Sequence, residues 1–313
     1  MAAVGSASVS SGTMSTHPGS PAARETVVLG VIGGSGLYAM DALENTESVT
    51  LTTPFGDPSG PYTVGTLPRP GKAPVKAVFV PRHGAGHKTM PSEINYRANI
   101  HGLKQLGVTH LLSVSAVGSL REEVEPGHIV FPDQFIDRTK HRAASFFGDG
   151  CVGHVQFGHP TTEGLRALAR QAAQDTGATV HDGGSLVVID GPAFSTRAES
   201  ELYRSWGARI IGMTALPEAK LAREAELAYS LLAMSTDYDC WHDEEVSVDA
   251  VVAVMKANVD IARKTIARLA ETLPETTDAL PCPRACENAV MTAPEAMTPE
   301  VRERLDLIIG HYL

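Results

Sequence analysis

Two aspartates set two residues apart, Asp237 and Asp239, stand in Ser235-Thr236-Asp237-Tyr238-Asp239-Cys240-Trp241, directly after the apolar run Ala228–Met234. In an extended segment residues two apart face the same way, so both carboxyls would enter one site. Like charges held close raise the pKa of one member, and a carboxylic acid that keeps its proton near neutral pH can act as a general acid. The same spacing suits a solvated acidic turn that caps a helix, and spacing alone leaves both readings open.

A different chemistry is concentrated elsewhere. Arg82-His83-Gly84-Ala85-Gly86-His87 follows the apolar run Ala77–Pro81. A guanidinium fork beside an imidazole suits a phosphate oxyanion, because Arg offers two parallel charge-assisted hydrogen bonds. His83 and His87 lie four apart, but the glycines between them oppose a helix and no H-E-x-x-H is present, which argues against zinc. An incidental surface loop is the plain alternative. Gly33-Gly34-Ser35-Gly36 ends the run Val27–Ile32, and a turn there can aim backbone N–H groups at an anion or simply be tight.

Gly34, Gly36 and Ala39 also fit G-x-G-x-x-A, but a dinucleotide site wants an acidic residue ending the next strand, about 20 residues on. That strand, expected at Ser48–Thr53, runs into Thr-Thr-Pro, and no Gly-Lys-Ser/Thr phosphate loop occurs. Ser113-Val114-Ser115-Ala116-Val117-Gly118-Ser119 and Met213-Thr214 add hydroxyl and backbone donors after further apolar runs. Ligands of open α/β sheets gather beyond the carboxyl ends of strands, so these segments point to one shared site.

The elements that must position them read as short β-branched runs separated by helical stretches. Strands are expected at Val27–Ile32, Ala77–Pro81, His110–Ser115, His128–Phe131, Ser185–Asp190, Ala208–Gly212 and Ala228–Ser235. Tyr96, Ile100, Leu103 and Leu106 recur at helical spacing up to Gly107, and Thr196-Arg197-Ala198-Glu199 has the form of a capping box. A helix can open at Pro217, and a long one from near Ser247 carries Val251, Met255, Val259, Ala262, Ile266 and Leu269 on one stripe. The class is α/β, with a mixed central β-sheet flanked by helices. Residues 1–25, rich in Ala, Ser, Gly and Pro, read as a disordered tail. Residues 26–274 form the main domain, and 275–313 a helical appendage that packs on it or on a neighbouring subunit.

Composition excludes several classes. With 313 residues, 43% hydrophobic and 20% charged, the chain has globular proportions, and no apolar run is long enough to span a membrane. A net charge of −10 repels polyanions, so nucleic acid is not an expected partner. Four cysteines are too few for a disulfide scaffold, no secretory signal is evident, and a cytoplasmic location is the default. Cys282 and Cys286 are expected to be reduced packing residues.

Taken together, Gly33–Gly36, Arg82-His83-Gly84, Asn95–Asn99, Gly118-Ser119-Leu120, Asp133–Thr139, Gly191-Pro192 with Phe194, Ser200, Met213-Thr214, Pro217-Glu218 and Thr236–Trp241 resemble the 5′-methylthioadenosine phosphorylases of the purine nucleoside phosphorylase superfamily. The likeness runs in order from about Val28 to Leu269. It implies phosphorolysis of 5′-methylthioadenosine to adenine and 5-methylthioribose 1-phosphate, with inorganic phosphate as co-substrate and no metal or organic cofactor, in a homotrimer. By position it implies a phosphate pocket of Ser35, Arg82, His83, Ser115, Ala116 and Thr214. Phe194 would pack on the purine, Met213 would lie under the ribose, and Val248 and Val251 would line the 5′ pocket. His154 would be lent to a neighbouring subunit's pocket. Asp237 would then be the acid at purine N7 and Asp239 the acceptor for the 6-amino group. Gly212 and Ala193 depart from the family, where Asn and Arg respectively are common.

Overall fold

A computed structural model of the protein describes residues 25–34, 36, 37, 40–242 and 248–313, with backbone alone for 248–253. In chain order the elements are β1 (Leu29–Gly33), β2 (Glu44–Val49), β3 (Tyr62–Arg69), β4 (Lys72–Pro81), α1 (Tyr96–Gln105), β5 (His110–Ser119), β6 (Ile129–Phe131), β7 (Gln134–Asp137) and α2 (Glu163–Gln174). They continue with β8 (Val180–Asp182), β9 (Ser185–Val188), α3 (Arg197–Ser205), β10 (Ile210–Gly212), α4 (Ala215–Glu224), β11 (Ala228–Tyr238), α5 (Val248–Thr272) and α6 (Pro299–Ile309).

Among the described residues eleven strands make one mixed sheet, ordered β2-β3-β4-β1-β5-β10-β9-β7, with β11 also on β5 and with β6 and β8 beyond it. All five residues of β1 are buried, as a central strand covered on both faces requires. One face packs under Tyr96, Ile100 and Leu103 of α1, Ala219 and Ala222 of α4, and Val301, Leu305 and Ile308 of α6. The other packs under Leu165, Ala169 and Ala173 of α2 and Ala262, Ile266 and Leu269 of α5. Side-chain caps begin three of these helices: Asn95 accepts from Ala98 N–H, Thr298 from Val301 N–H, and Thr196 with Glu199 forms the full capping box.

Several boundaries differ from the expectation. The strand expected at Ser48–Thr53 lies at Glu44–Val49, antiparallel to β3, and Thr53 makes only an isolated bridge to Gly56. β2 therefore sits three places from β1 instead of beside it, which removes the βαβ unit that a dinucleotide site needs. Residues 1–24 of the expected tail lie outside the described residues, whereas Glu25 accepts from Thr277 N–H at 3.0 Å. The C-terminal segment packs on its own chain, and α6 shares the core with α1 and α4. Cys282 and Cys286 are free thiols, donating to the carbonyls of Thr109 at 3.3 Å and Glu224 at 3.1 Å. The Glu224 carboxylate in turn accepts from Ser145 Oγ at 2.8 Å and Phe146 N–H at 2.7 Å.

The site depends on β5. Its residues His110–Ser113 pair with β1, and Ser119 and Gly118 pair with Ile210 and Ile211 of β10. Between these partners Val114–Val117 keep β11 on one edge and, among the described residues, have no strand on the other. The parallel strand ends at Gly33 and the antiparallel one begins beyond it, so the sheet forks.

Candidate active site

A cavity of about 330 Å³ opens at this fork, within the size range of small-molecule sites. Its polar lining is divided. At one end are Arg82, His83, Ser115, Ala116 and Thr214; at the other are Asp237 and Asp239. Leu37, Met234, Met255 and Val259 supply apolar wall between β1, β11 and α5.

At the first end the Ser115 and Thr214 hydroxyls are joined at 2.9 Å, bringing the end of β5 against the turn after β10. His83 Nδ1 lies 2.9 Å from the Thr89 carbonyl, which can only accept, so in the neutral ring the proton sits on Nδ1 and Nε2 is an acceptor. Burial drives the His83 pKa down to about 4, keeping the ring neutral at physiological pH. Arg82 lines the cavity, yet most of its fork is engaged by the protein. Nε and Nη2 reach the Glu218 carboxylate at 2.8 and 3.2 Å, while Nη1 donates to Val114 O at 3.0 Å. Glu218 is wholly buried, and unpairing such a couple costs on the order of 3–5 kcal/mol.

At the second end β11 carries a bulge between Ser235 and Asp237, which lets the adjacent residues Thr236 and Asp237 both line the cavity. Thr236 Oγ1 donates to Asp237 Oδ1 at 2.6 Å. Asp237 Oδ2 faces β5, 3.2 Å from where a Cβ on Gly118 would stand, so glycine keeps that approach open. Burial raises the Asp237 pKa; the Thr236 hydroxyl works against that rise and the nearby Asp239 charge adds to it. Asp239 lies just past the strand, anchored by its N–H to Ser119 O at 3.0 Å, and burial raises its pKa too. The pair brings two carboxyls into one cavity, both with pKa values raised by burial.

Between the two ends lie Met213 and Phe194. Met213 rests on Gly191, whose φ of +67° and missing side chain make room: a Cβ there would stand 2.4 Å from Met213 Sδ. Phe194 is 53% exposed at the mouth, an aromatic face without a full set of neighbours. Arg142 fastens this rim, donating to Met213 O and Leu216 O at 2.7 Å each and to Asp190 O at 3.0 Å.

A model of the phosphorylase superfamily matches residues 28–273. The chain belongs to that superfamily. It is 54% identical over 289 residues to the S-methyl-5′-thioadenosine phosphorylase of Geobacter sulfurreducens, a match covering 91% of this chain and 99% of that one. The enzyme of the same name from Cereibacter sphaeroides is 51% identical over 290 residues, covering 91% and 98%. Among solved structures, a methylthioadenosine phosphorylase from an Antarctic soil metagenomic library superposes with a TM-score of 0.83 at 43% identity, covering 91% of this chain and 99% of that one. The Schistosoma mansoni methylthioadenosine phosphorylase in complex with adenine gives 0.73 at 38% identity, covering 78% and 91%. The mixed sheet flanked by helices is thus the superfamily's fold.

In this member of the superfamily the cavity gathers Arg82, His83, Ser115, Ala116, Phe194, Met213, Thr214, Asp237 and Asp239 from positions spread over 158 residues of sequence, from 82 to 239. Ser35 lies outside the described residues, and the side chains of Val248 and Val251, in the first turns of α5, are likewise not described. His154 is exposed and outside the cavity of its own chain; its N–H donates to Ala289 O at 2.9 Å. Sequence reasoning overlooked Arg142 and assigned Glu218 no role, because their partners stand as far as 136 positions away and no local pattern marks them. Met255 and Val259 were on the predicted helical stripe but were not read as cavity wall.

Proposed function

We propose that the protein is an S-methyl-5′-thioadenosine phosphorylase, which cleaves 5′-methylthioadenosine with inorganic phosphate to adenine and 5-methylthioribose 1-phosphate. The observation that carries this reading is the cavity's polarity: Arg82, His83 and the Ser115 and Thr214 hydroxyls toward one end, and two carboxyls, Asp239 buried and Asp237 half-buried, with pKa values raised by burial, at the other. Curated relatives at about half identity over nine-tenths of the chain support the same reaction.

Breaking the bond from ribose to purine leaves electrons on the base and positive charge on the sugar. A proton delivered to purine N7 by Asp237 would neutralise the first, and phosphate beside the anomeric carbon would offset the second and then attack it. Asp239, as a carboxylate, would accept from the 6-amino group and disfavour a 6-oxo purine, whose oxygen would face it without a donor. Phe194 would stack on the base and Met213 would lie under the sugar. Phosphate would sit among Ser35, Arg82, His83, Ser115, Ala116 and Thr214. There the His83 Nε2 lone pair calls for a hydroxyl partner, either a sugar hydroxyl or a protonated phosphate oxygen.

The 5′-methylthio group would lie toward Val248 and Val251. The reading includes a homotrimer in which His154, exposed on its own chain, serves the neighbouring pocket. It needs no metal or organic cofactor. Among the described residues no helix is long and apolar enough to cross a membrane, and a cytoplasmic location forms part of the proposal. The test is adenine release from methylthioadenosine with and without phosphate, alongside adenosine and inosine. Strict phosphate dependence is expected, and full turnover in phosphate-free buffer would refute it.

A further inference from the structure

The Arg82 guanidinium has five N–H groups, and the protein takes nearly all of them. Besides Glu218, the acceptors are Ser113 Oγ at 2.7 Å, Ile32 O at 3.2 Å and Val114 O at 3.0 Å. One Nη1 hydrogen is left for the cavity. Glu218 Oε1 also accepts from the Tyr229 hydroxyl at 3.2 Å, so the carboxylate is held from two sides in a fully buried position. Arg82 and Glu218 together carry no net charge. The other basic groups lining the cavity among the described residues are two imidazoles, His83 and His87, stacked with centroids 4.2 Å apart.

The anion end is therefore built from hydroxyls, backbone, a single arginine N–H and a histidine acceptor, with its only guanidinium charge cancelled at contact distance. We propose that Glu218 is a positioning residue that sets the strength of phosphate binding: it engages the Arg82 fork and cancels its charge. A phosphate gripped by an unopposed fork would be stabilised as a bound reactant, and binding reactant and transition state equally does not speed the chemical step. A loosely held phosphate keeps its oxygen lone pairs available for the anomeric carbon. The inference rests on phosphate occupying the Arg82 end.

The discriminating variant is Glu218→Gln, which keeps the shape and one carbonyl acceptor but removes the charge. Titration calorimetry with inorganic phosphate, and with sulfate as an unreactive anion, is expected to show Kd falling about tenfold for both, since the negative charge that offsets Arg82 is lost. The phosphate KM should fall with it while kcat does not rise. A merely structural role gives the opposite sign, a loosened pocket with weaker anion binding, and unchanged or weaker binding would overturn the inference. Should Glu218→Gln not fold, Glu218→Asp, whose shorter reach weakens the grip on Arg82, is expected to tighten phosphate about twofold to threefold; there too, unchanged or weaker binding overturns it. Arg82→Gln separates the two levels. If it abolishes phosphate binding while the Glu218 variants bind as wild type, only the role of Glu218 fails; if it binds phosphate normally, the location of phosphate was wrong.

Discussion

Replacing Asp237 by Asn isolates proton transfer from hydrogen bonding. Thr236 Oγ1, at 2.6 Å from Oδ1, fixes which way the side chain sits and leaves Oδ2 on the β5 side. In the variant the amide oxygen can take the Thr236 bond, and the NH2 group then occupies the Oδ2 position. It can still donate a hydrogen bond to N7, but it cannot give up its proton. General acid catalysis contributes about 10²–10⁴-fold, so kcat should fall by that factor, equivalent to roughly 3–5 kcal/mol on the barrier. The nucleoside KM should stay within about threefold, because shape and donor are retained. The assay is adenine release at saturating phosphate, run beside a nucleoside methylated at N7, whose base leaves without being protonated. On that substrate the variant should match the wild type. A kcat within threefold of wild type on methylthioadenosine, or an equal loss on the N7-methylated substrate, would refute Asp237 as the acid.

Asp239→Asn replaces an acceptor by a group that can donate to a 6-oxo oxygen; the kcat/KM ratio of methylthioadenosine to methylthioinosine should fall by about a hundredfold or more, measured by competition between the two. Burial raises Glu224 from the ordinary 4.5 to about 7, so the stability it contributes is complete below pH 4.5 and is lost as pH rises through about 7. Glu224→Gln should therefore remove up to about 3 kcal/mol of stability loss between acid and mildly alkaline pH, seen as a flatter urea-unfolding profile from pH 5 to 8.

The parts of this molecule legible in its sequence are those where one local pattern carries the physics. β1 is a continuous run of apolar and glycine residues because both faces are covered, β5 and β11 are largely buried and rich in apolar residues, and the Thr196–Glu199 cap is a four-residue motif closed on itself. β2 was displaced in the reading, expected at Ser48–Thr53, because Glu44–Val49 at the sheet's edge is mostly exposed and shows no apolar alternation. α2 buries mainly alanines, a face too faint to read as a stripe beside its charged residues. In the site, both aspartates were visible from spacing, yet the bulge that brings Thr236 beside Asp237 was not, since it arises from register against β5. Arg82 stands out in the sequence as a candidate binding group, whereas its commitment to Glu218 depends on two segments that meet only in the folded chain.

The four residues Val114–Val117, which lack a second strand, limit how this sheet can vary. Two more paired residues on β1 or β10 would knit the slot shut and raise cohesion, at the expense of the cavity that opens at the fork. Changes that lengthen either neighbour should accordingly yield hardier but inert proteins. On the proposed reading, phosphate bound at the fork should slow amide exchange in β5 and raise the melting temperature as anion is added.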